Sequence, residues 1–269
     1  MKNILVSTDF SGPATNAVHY AAELARVTHA TLTLFSVYKL SIHASNSLAS
    51  TDLIEHLVAE QQEKLTALKV DLEATYSIDV QWELRRNETI ENLKDYCGSH
   101  PVDLVVMGIQ SNLTEYKLFG NTTTEAVQLM QFPLLVVPND IQFTGIHKVI
   151  YASDISYLKE HCEMTYLKNL LDAFDASLDI LHVQTDGRED HETFERVINE
   201  IFGDREHQFR YVSNPRVDDG IAQGLEENPS DLLVMIPHKR GFIESIFKGS
   251  RTNQMTVRTR IPLLVIPMI

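Results

Sequence analysis

The chain of 269 residues has two cysteines, one tryptophan and no apolar stretch long enough to cross a bilayer. Cys97 and Cys162 stand far apart with no CxxC pattern, which excludes a disulfide framework and a cysteine-based zinc site and fits reduced, packed thiols. The opening MKNILVSTDFSG carries a single lysine and an apolar run too short for a secretory signal, so the expected compartment is the cytoplasm, away from membranes. Basic residues are also scarce: 23 against 37 acidic ones leave a net charge of −14. Such a surface repels phosphodiester backbones and anionic lipid, so nucleic-acid and membrane-surface binding are excluded as function classes.

Several catalytic signatures are missing as well. The eleven histidines form no HxxxH or HExxH pair; His43 and His56 are too distant for a local pair, and His161 points away from Cys162 on a helix. No metal site is expected, and His182 reads as a pocket or core histidine at a strand end. No loop ends in GK[ST], and no nucleophile elbow is present. Enzymatic activity is therefore not expected.

What the chain does have is a repeat. KNILVSTDFS (2–11) returns as HKVIYASDIS (147–156), ATLTLFSVYK (30–39) as ASLDILHVQT (176–185), VDLVVMG (102–108) as SDLLVMI (230–236), and FPLLVVP (132–138) as IPLLVIP (261–267). Four matches in one order predict two units, 1–141 and 142–269, divided near NDIQFTG. The second copy is shorter in its middle, where the segment at 41–75, SIHASNSLAS and then a long amphipathic helix, is replaced by HETFERVINEIF at 191–202.

Each copy alternates strand and helix. In the first, strands are predicted at 4–8, 31–37, 79–85, 103–107 and 134–138, with helices at 51–76, 89–100 and 122–131 between them. After the first strand, Ala14, Ala17, Val18, Ala21, Leu24 and Ala25 form a helical stripe, with Ser11 as cap and Pro13 in the first turn. Val/Ile/Leu runs without alternation suit parallel strands covered on both faces, and right-handed crossovers then give a doubly wound α/β sheet. Trp82 reads as packing in the third strand. Ligands in such sheets sit beyond the carboxyl ends of the strands, where Asp9, Val37 and Gly108 all fall. The strongly apolar final strands predict internal pairing of Leu134–Val137 with Leu263–Ile266, so no second chain is needed, although a homodimer through apolar surfaces or final strands stays open.

The passage VVMGIQSNLTEYKLFGNTTT (105–124) has the elements of a phosphate cradle. Gly108 permits close approach at a strand end, and Gly120 leads into hydroxyl and amide residues at a helix start. An ordinary capped helix after a loop explains the same residues.

With these motifs the chain resembles the universal stress protein (UspA-type) family, as a tandem pair of its domains. ILVSTDFSGPATNAVHYAAELA looks like the family's opening, and VDLVVMGIQS and FPLLVVP look like its fourth and fifth strands. The resemblance implies two Rossmann-like (adenine nucleotide alpha hydrolase-like) domains related by a pseudo-two-fold, and a stress-responsive regulator binding ATP, ADP or AMP, with Mg2+ only beside a triphosphate. It implies that Asp9 faces base or ribose, that Val37 offers backbone contacts to the base, that Met107 and Gly108 line ribose and phosphates, and that Gly120, Asn121 and Thr122 surround the phosphates. The matching second-copy positions are Asp154, Val183, Met235, Gly249 and Ser250.

The family's binding motif runs glycine, two residues, glycine, nine residues, Gly-Ser/Thr. Here Ser111 replaces the second glycine, and the spacing to Gly120-Asn121 is one residue short. In the second copy Ile236 and Lys239 replace both early glycines while Gly249-Ser250 fits, so the first copy is expected to be the better site. Lys239 and Arg240 could restore phosphate contacts or form a solvated basic turn. The alternative function is an adaptor for an unknown protein partner, its pockets vestigial. An adenylating enzyme of the related hydrolase class would want a glycine-richer loop than STDFSG.

Overall fold

The computed structural model describes residues 1–38, 51–110, 122–123, 125–126, 131–153, 162–185, 191–203, 205–236 and 261–267, without the side chains of 51–53 and 162–163. Strand β1 (Asn3–Ser7) leads into helix α1 (Gly12–Thr28), then β2 (Thr31–Tyr38), α2 (Thr51–Tyr76), β3 (Val80–Arg86), α3 (Thr89–Ser99), β4 (Leu104–Ile109) and β5 (Leu134–Pro138). The second half repeats the plan as β6 (Lys148–Ala152), α4 (Cys162–Phe174), β7 (Ser177–Gln184), α5 (His191–Phe202), β8 (His207–Ser213), α6 (Val217–Glu227), β9 (Leu232–Met235) and β10 (Leu263–Val265). Of the helix expected at 122–131, Thr122, Thr123, Glu125 and Ala126 are helical, and most of the remainder lies outside the described residues.

The ten strands among the described residues form one sheet in the order β3-β2-β1-β4-β5-β10-β9-β6-β7-β8. Neighbours within each half are parallel, and the halves meet where β5 and β10 pair antiparallel, Leu264 opposite Leu135. The internal pairing expected from the final strands is thus present. Each half follows the doubly wound order, reversed about the central pair. The continuous apolar runs are buried on both faces, as parallel strands require.

One core layer, on the side of α1, α2, α4 and α5, runs unbroken across both halves; α3 and α6 cover the opposite face. The segment between β5 and β6 is packed rather than free. The Asn16 side-chain amide donates to the carbonyls of Pro138 and Ile141, each at 2.9 Å, and Phe143 lies edge-on to Tyr20 at 5.1 Å and near Phe174.

Local devices recur in both halves. Helix α1 starts where the Ser11 hydroxyl accepts the Ala14 N–H, with Pro13 in its first turn, and it stops at His29, a left-handed residue with φ 54°. Asp175 closes α4 with φ 49° in the same manner. Asp103 Oδ2 accepts the N–H groups of Lys2 and Asn3, and Asp231 Oδ2 those of His147 and Lys148, so one carboxylate in each half ties the start of the first strand to the fourth.

Candidate functional site

Three strand ends converge in the first half. The connection from β1 to α1 is held by its own side chains: Thr8 Oγ1 accepts the Phe10 N–H at 3.1 Å, Asp9 Oδ1 accepts the Ser11 N–H at 3.0 Å, and Ser11 caps α1. Phe10 is forced to φ 62°, a conformation costly for an aromatic residue and concentrated at functional turns. Asp9 is therefore not a helix cap, the plainest alternative for an acidic residue here. It sets an Asx turn and remains exposed.

Beyond these ends lies a cavity of about 550 Å³. Asp9, Val37, Met107, Gly108 and Thr122 all line it, brought together from β1, β2, β4 and the helical residues that precede β5. Ser111, Gly120 and Asn121 lie outside the described residues. Asp9 is the one carboxylate among the described lining residues, and no lysine or arginine is among them. The remaining polar surface comes from hydroxyls and amides, and the N-terminal end of α1, with its partial positive charge, borders the cavity through Ser11, Pro13 and Ala14. Such a wall suits sugar hydroxyls and phosphate oxygens without a cationic clamp.

Gly108 has a different physical reason from the one its position suggests. It lies inside β4, opposite Val137, rather than after the strand. A Cβ there would stand 2.1 Å from the Pro13 carbonyl oxygen and 2.9 Å from the Ala14 nitrogen. The bare backbone is needed first so that α1 can lie on β4, and any ligand takes advantage of a gap the packing already demands. The Thr123 hydroxyl donates to the Gly108 carbonyl at 3.3 Å, fixing the helical residues over the strand end.

In the second half Val183, Met235 and Ile236 are 7%, 1% and 6% exposed. Helix α6 presses onto Val183 through Gly220, whose missing Cβ would fall 2.4 Å from a valine methyl. Ile236 belongs to the core layer, where the first half has a glycine. Asp154, Gly249, Ser250, Lys239 and Arg240 are outside the described residues. His182 is a core histidine: it is buried against Phe194, with Nδ1 at 3.0 Å from the Ser153 carbonyl. Burial pushes the Cys97 thiol up to about 12, which removes it from thiolate chemistry. Among the described residues no group of three or more metal-binding side chains occurs, and no helix is long and apolar enough to cross a membrane.

The sequence pointed to the strand ends but missed part of the wall. Thr8, Ser36, Tyr38, Thr89 and Thr123 line the cavity, as do Leu57 and Gln61 of α2. The available signal for the last two was their spacing of four along the stripe that α2 continues below.

Comparison with known proteins agrees with this architecture. The model of the universal stress protein family matches residues 1–138. Universal stress protein Slr1230 of Synechocystis is 25% identical over 298 residues, spanning 98% of this chain and 99% of that protein. Among solved structures, a universal stress protein from Archaeoglobus fulgidus aligns with TM-score 0.77 at 18% identity, over 98% of this chain and 97% of that one. A putative universal stress protein from Pseudomonas aeruginosa gives 0.59 at 13% identity, over 99% and 93%. At these identities the solved structures speak for the fold.

Proposed function

We propose a function from the premise that this chain belongs to the universal stress protein family: it binds an adenine nucleotide in its first half and acts as a cytoplasmic regulator of a stress response. We take the chain as two units, 1–141 and 142–269, with the first holding the ligand. The observation that carries this reading is the contrast between the halves. The first has a cavity of about 550 Å³ over the ends of β1, β2 and β4, lined by Gly108, whereas the second has the core residue Ile236 in place of that glycine.

In this reading Asp9 accepts hydrogen bonds from ribose hydroxyls or the exocyclic amine, and Val37 flanks the base with its backbone. Met107 and Gly108 border the ribose, and Thr122 faces the phosphates with Ser111, Gly120 and Asn121. Asp154, Val183, Met235, Gly249 and Ser250 form at most a weaker second site. A triphosphate would bring Mg2+ with it, because the described wall supplies no cation. The output is regulatory, passed to a protein partner, and slow hydrolysis is at most incidental. With β5 and β10 already paired, a homodimer would use other apolar surface.

The test is to release small molecules from freshly purified protein and identify them by mass spectrometry, then to titrate ATP, ADP, AMP and GTP into wild type and Asp9→Ala. Adenine nucleotide bound by wild type and weakened by about tenfold in the variant is expected, the range of one lost hydrogen bond to a charged group. Binding of no adenine nucleotide would leave the adaptor function standing instead.

A further inference from the structure

Among the described residues, helix α2 marks a large difference in plan between the halves. It has 26 residues, about 39 Å of helix, where α5, between the equivalent strands, has 12. Its lower part is anchored: Leu65 and Leu72 are fully buried, and Leu68 and Tyr76 pack on the same core. From Ile54 to Lys64 no residue is buried. Yet Leu57, Gln61, Leu65, Leu68 and Leu72 follow one another at spacings of four and three, which puts them on a single face of the helix. Below, that face is covered by the sheet. Above, Leu57 and Gln61 face the cavity, and Leu57 remains 38% exposed, one of the few large apolar side chains in that state. In contrast, α5 (His191–Phe202) buries Phe194 within its first described turn, and Ile198, Ile201 and Phe202 follow.

We infer that the upper turns of α2 are the roof of the ligand chamber, with Leu57 covering the flat apolar face of the base and Gln61 reading its polar edge. This deepens the proposed function and rests on it. The stripe that is buried below continues over an empty space, and a heteroaromatic ring is the chemistry that completes it. The cavity walls are divided to match. Val37, Tyr38 and Leu57 stand on the β2 and α2 side, while Thr8, Asp9 and Ser11 stand at the β1–α1 turn, where sugar and phosphate would lie. An amide that accepts from the exocyclic amine and donates to N7 matches that edge of adenine, where hypoxanthine presents two acceptors, so Gln61 can distinguish the two bases. Ligand binding and ordering of residues 54–64 are then one event, because none of those residues is buried among the described ones.

Two measurements test this. Hydrogen exchange followed by mass spectrometry, with and without saturating adenosine, is expected to show at least tenfold slower exchange over 54–61 and no change over 65–76, whose protection is already set by Leu65 and Leu72. Calorimetric titration is expected to show Leu57→Ala weakening adenosine and ATP equally, by about tenfold each, since the contact is to the base. Gln61→Ala is expected to erase the preference for adenosine over inosine. Val70→Ala, on the anchored part of the helix and 59% exposed, is expected to bind as wild type, and circular dichroism checks that the variants stay folded. If wild type binds adenosine while exchange over 54–61 and the affinities of both variants are unchanged, the roof is refuted and the nucleotide site survives. If wild type binds neither adenosine nor any adenine nucleotide, both fall together.

Discussion

Substitution of Gly108 by alanine separates a packing role from a ligand role. The new methyl would begin 2.1 Å from the Pro13 carbonyl oxygen and 2.4 Å from its carbon, both backbone atoms that no rotamer change can move. Reaching an ordinary contact of 3.4 Å requires α1 and β4 to part by about 1.3 Å. That movement lifts Ala14, Ala17 and Val18, all buried, off the sheet. A gap of 0.5–1 Å already forfeits roughly a quarter to a half of each dispersion contact. Overpacking of this kind costs about 1–3 kcal/mol, and a clash of backbone with backbone belongs at the upper end. We therefore expect Gly108→Ala to lose about 3 kcal/mol in urea denaturation, with a melting temperature lower by roughly 6–12 °C for a chain of this size. The loss is expected in the absence of any nucleotide. A variant within 0.5 kcal/mol of wild type without ligand would refute the packing account and return Gly108 to a purely ligand-facing role. The same result warns that weakened nucleotide binding on mutating Gly108 is not, by itself, proof of a phosphate contact.

The seam between the halves is tested by Leu264→Lys. Leu264 and Leu135 are 1% and 3% exposed at the centre of the antiparallel pair, and an unpaired charge there is expected to cost more than about 3 kcal/mol, read by denaturation and by loss of soluble yield. The buried Tyr166 hydroxyl has no hydrogen-bond partner among the described residues, so Tyr166→Phe is expected to be neutral or stabilising by about 1 kcal/mol in the same assay. Burial raises the pKa values of Tyr20 and Tyr166, with Asp231 and Asp103 of the opposite half adding to the rise. Both tyrosines stay neutral in both states below about pH 10; above it the unfolded chain loses its protons first, so stability falls with rising pH by about 1.4 kcal/mol per pH unit per tyrosine. Tyr20→Phe is expected to flatten that alkaline slope while leaving the acid side unchanged. With the thiol of Cys97 pushed to about 12 and buried, peptide-mapped iodoacetamide labelling at pH 8 is expected to leave it unmodified in the native chain and to modify it fully in denaturant.

Most of the fold was legible because it is written twice. Uninterrupted runs such as Ile4–Val6 and Leu134–Val137 belong to strands buried on both faces, and the return of the last of them in the second half pointed to the central pairing of the two final strands. The start of α1 was readable from Ser11 and Pro13, since caps act within a few residues. What was illegible depends on distance across the fold. The sequence aligned Asp103 with Asp231 but gave no sign that each carboxylate anchors backbone N–H groups many residues away. It marked Gly108 as special without revealing that Pro13 is the neighbour that makes it so. It placed Asp9 and Val37 at strand ends. It did not show that α2 outruns its support and overhangs the same space, because Leu57 and Leu65 look alike in a linear stripe.

The central claim is that an adenosine phosphate sits over the first strand ends and not the second. The most direct measurement is an amide-resolved NMR titration of the full chain with ATP and Mg2+. The account predicts shift changes at Thr8 to Ser11, Val37, Tyr38 and Ile109, saturating together with a single dissociation constant, while Val183, Met235 and Ile236 stay still. No change at the first group, or larger changes at the second, would contradict it.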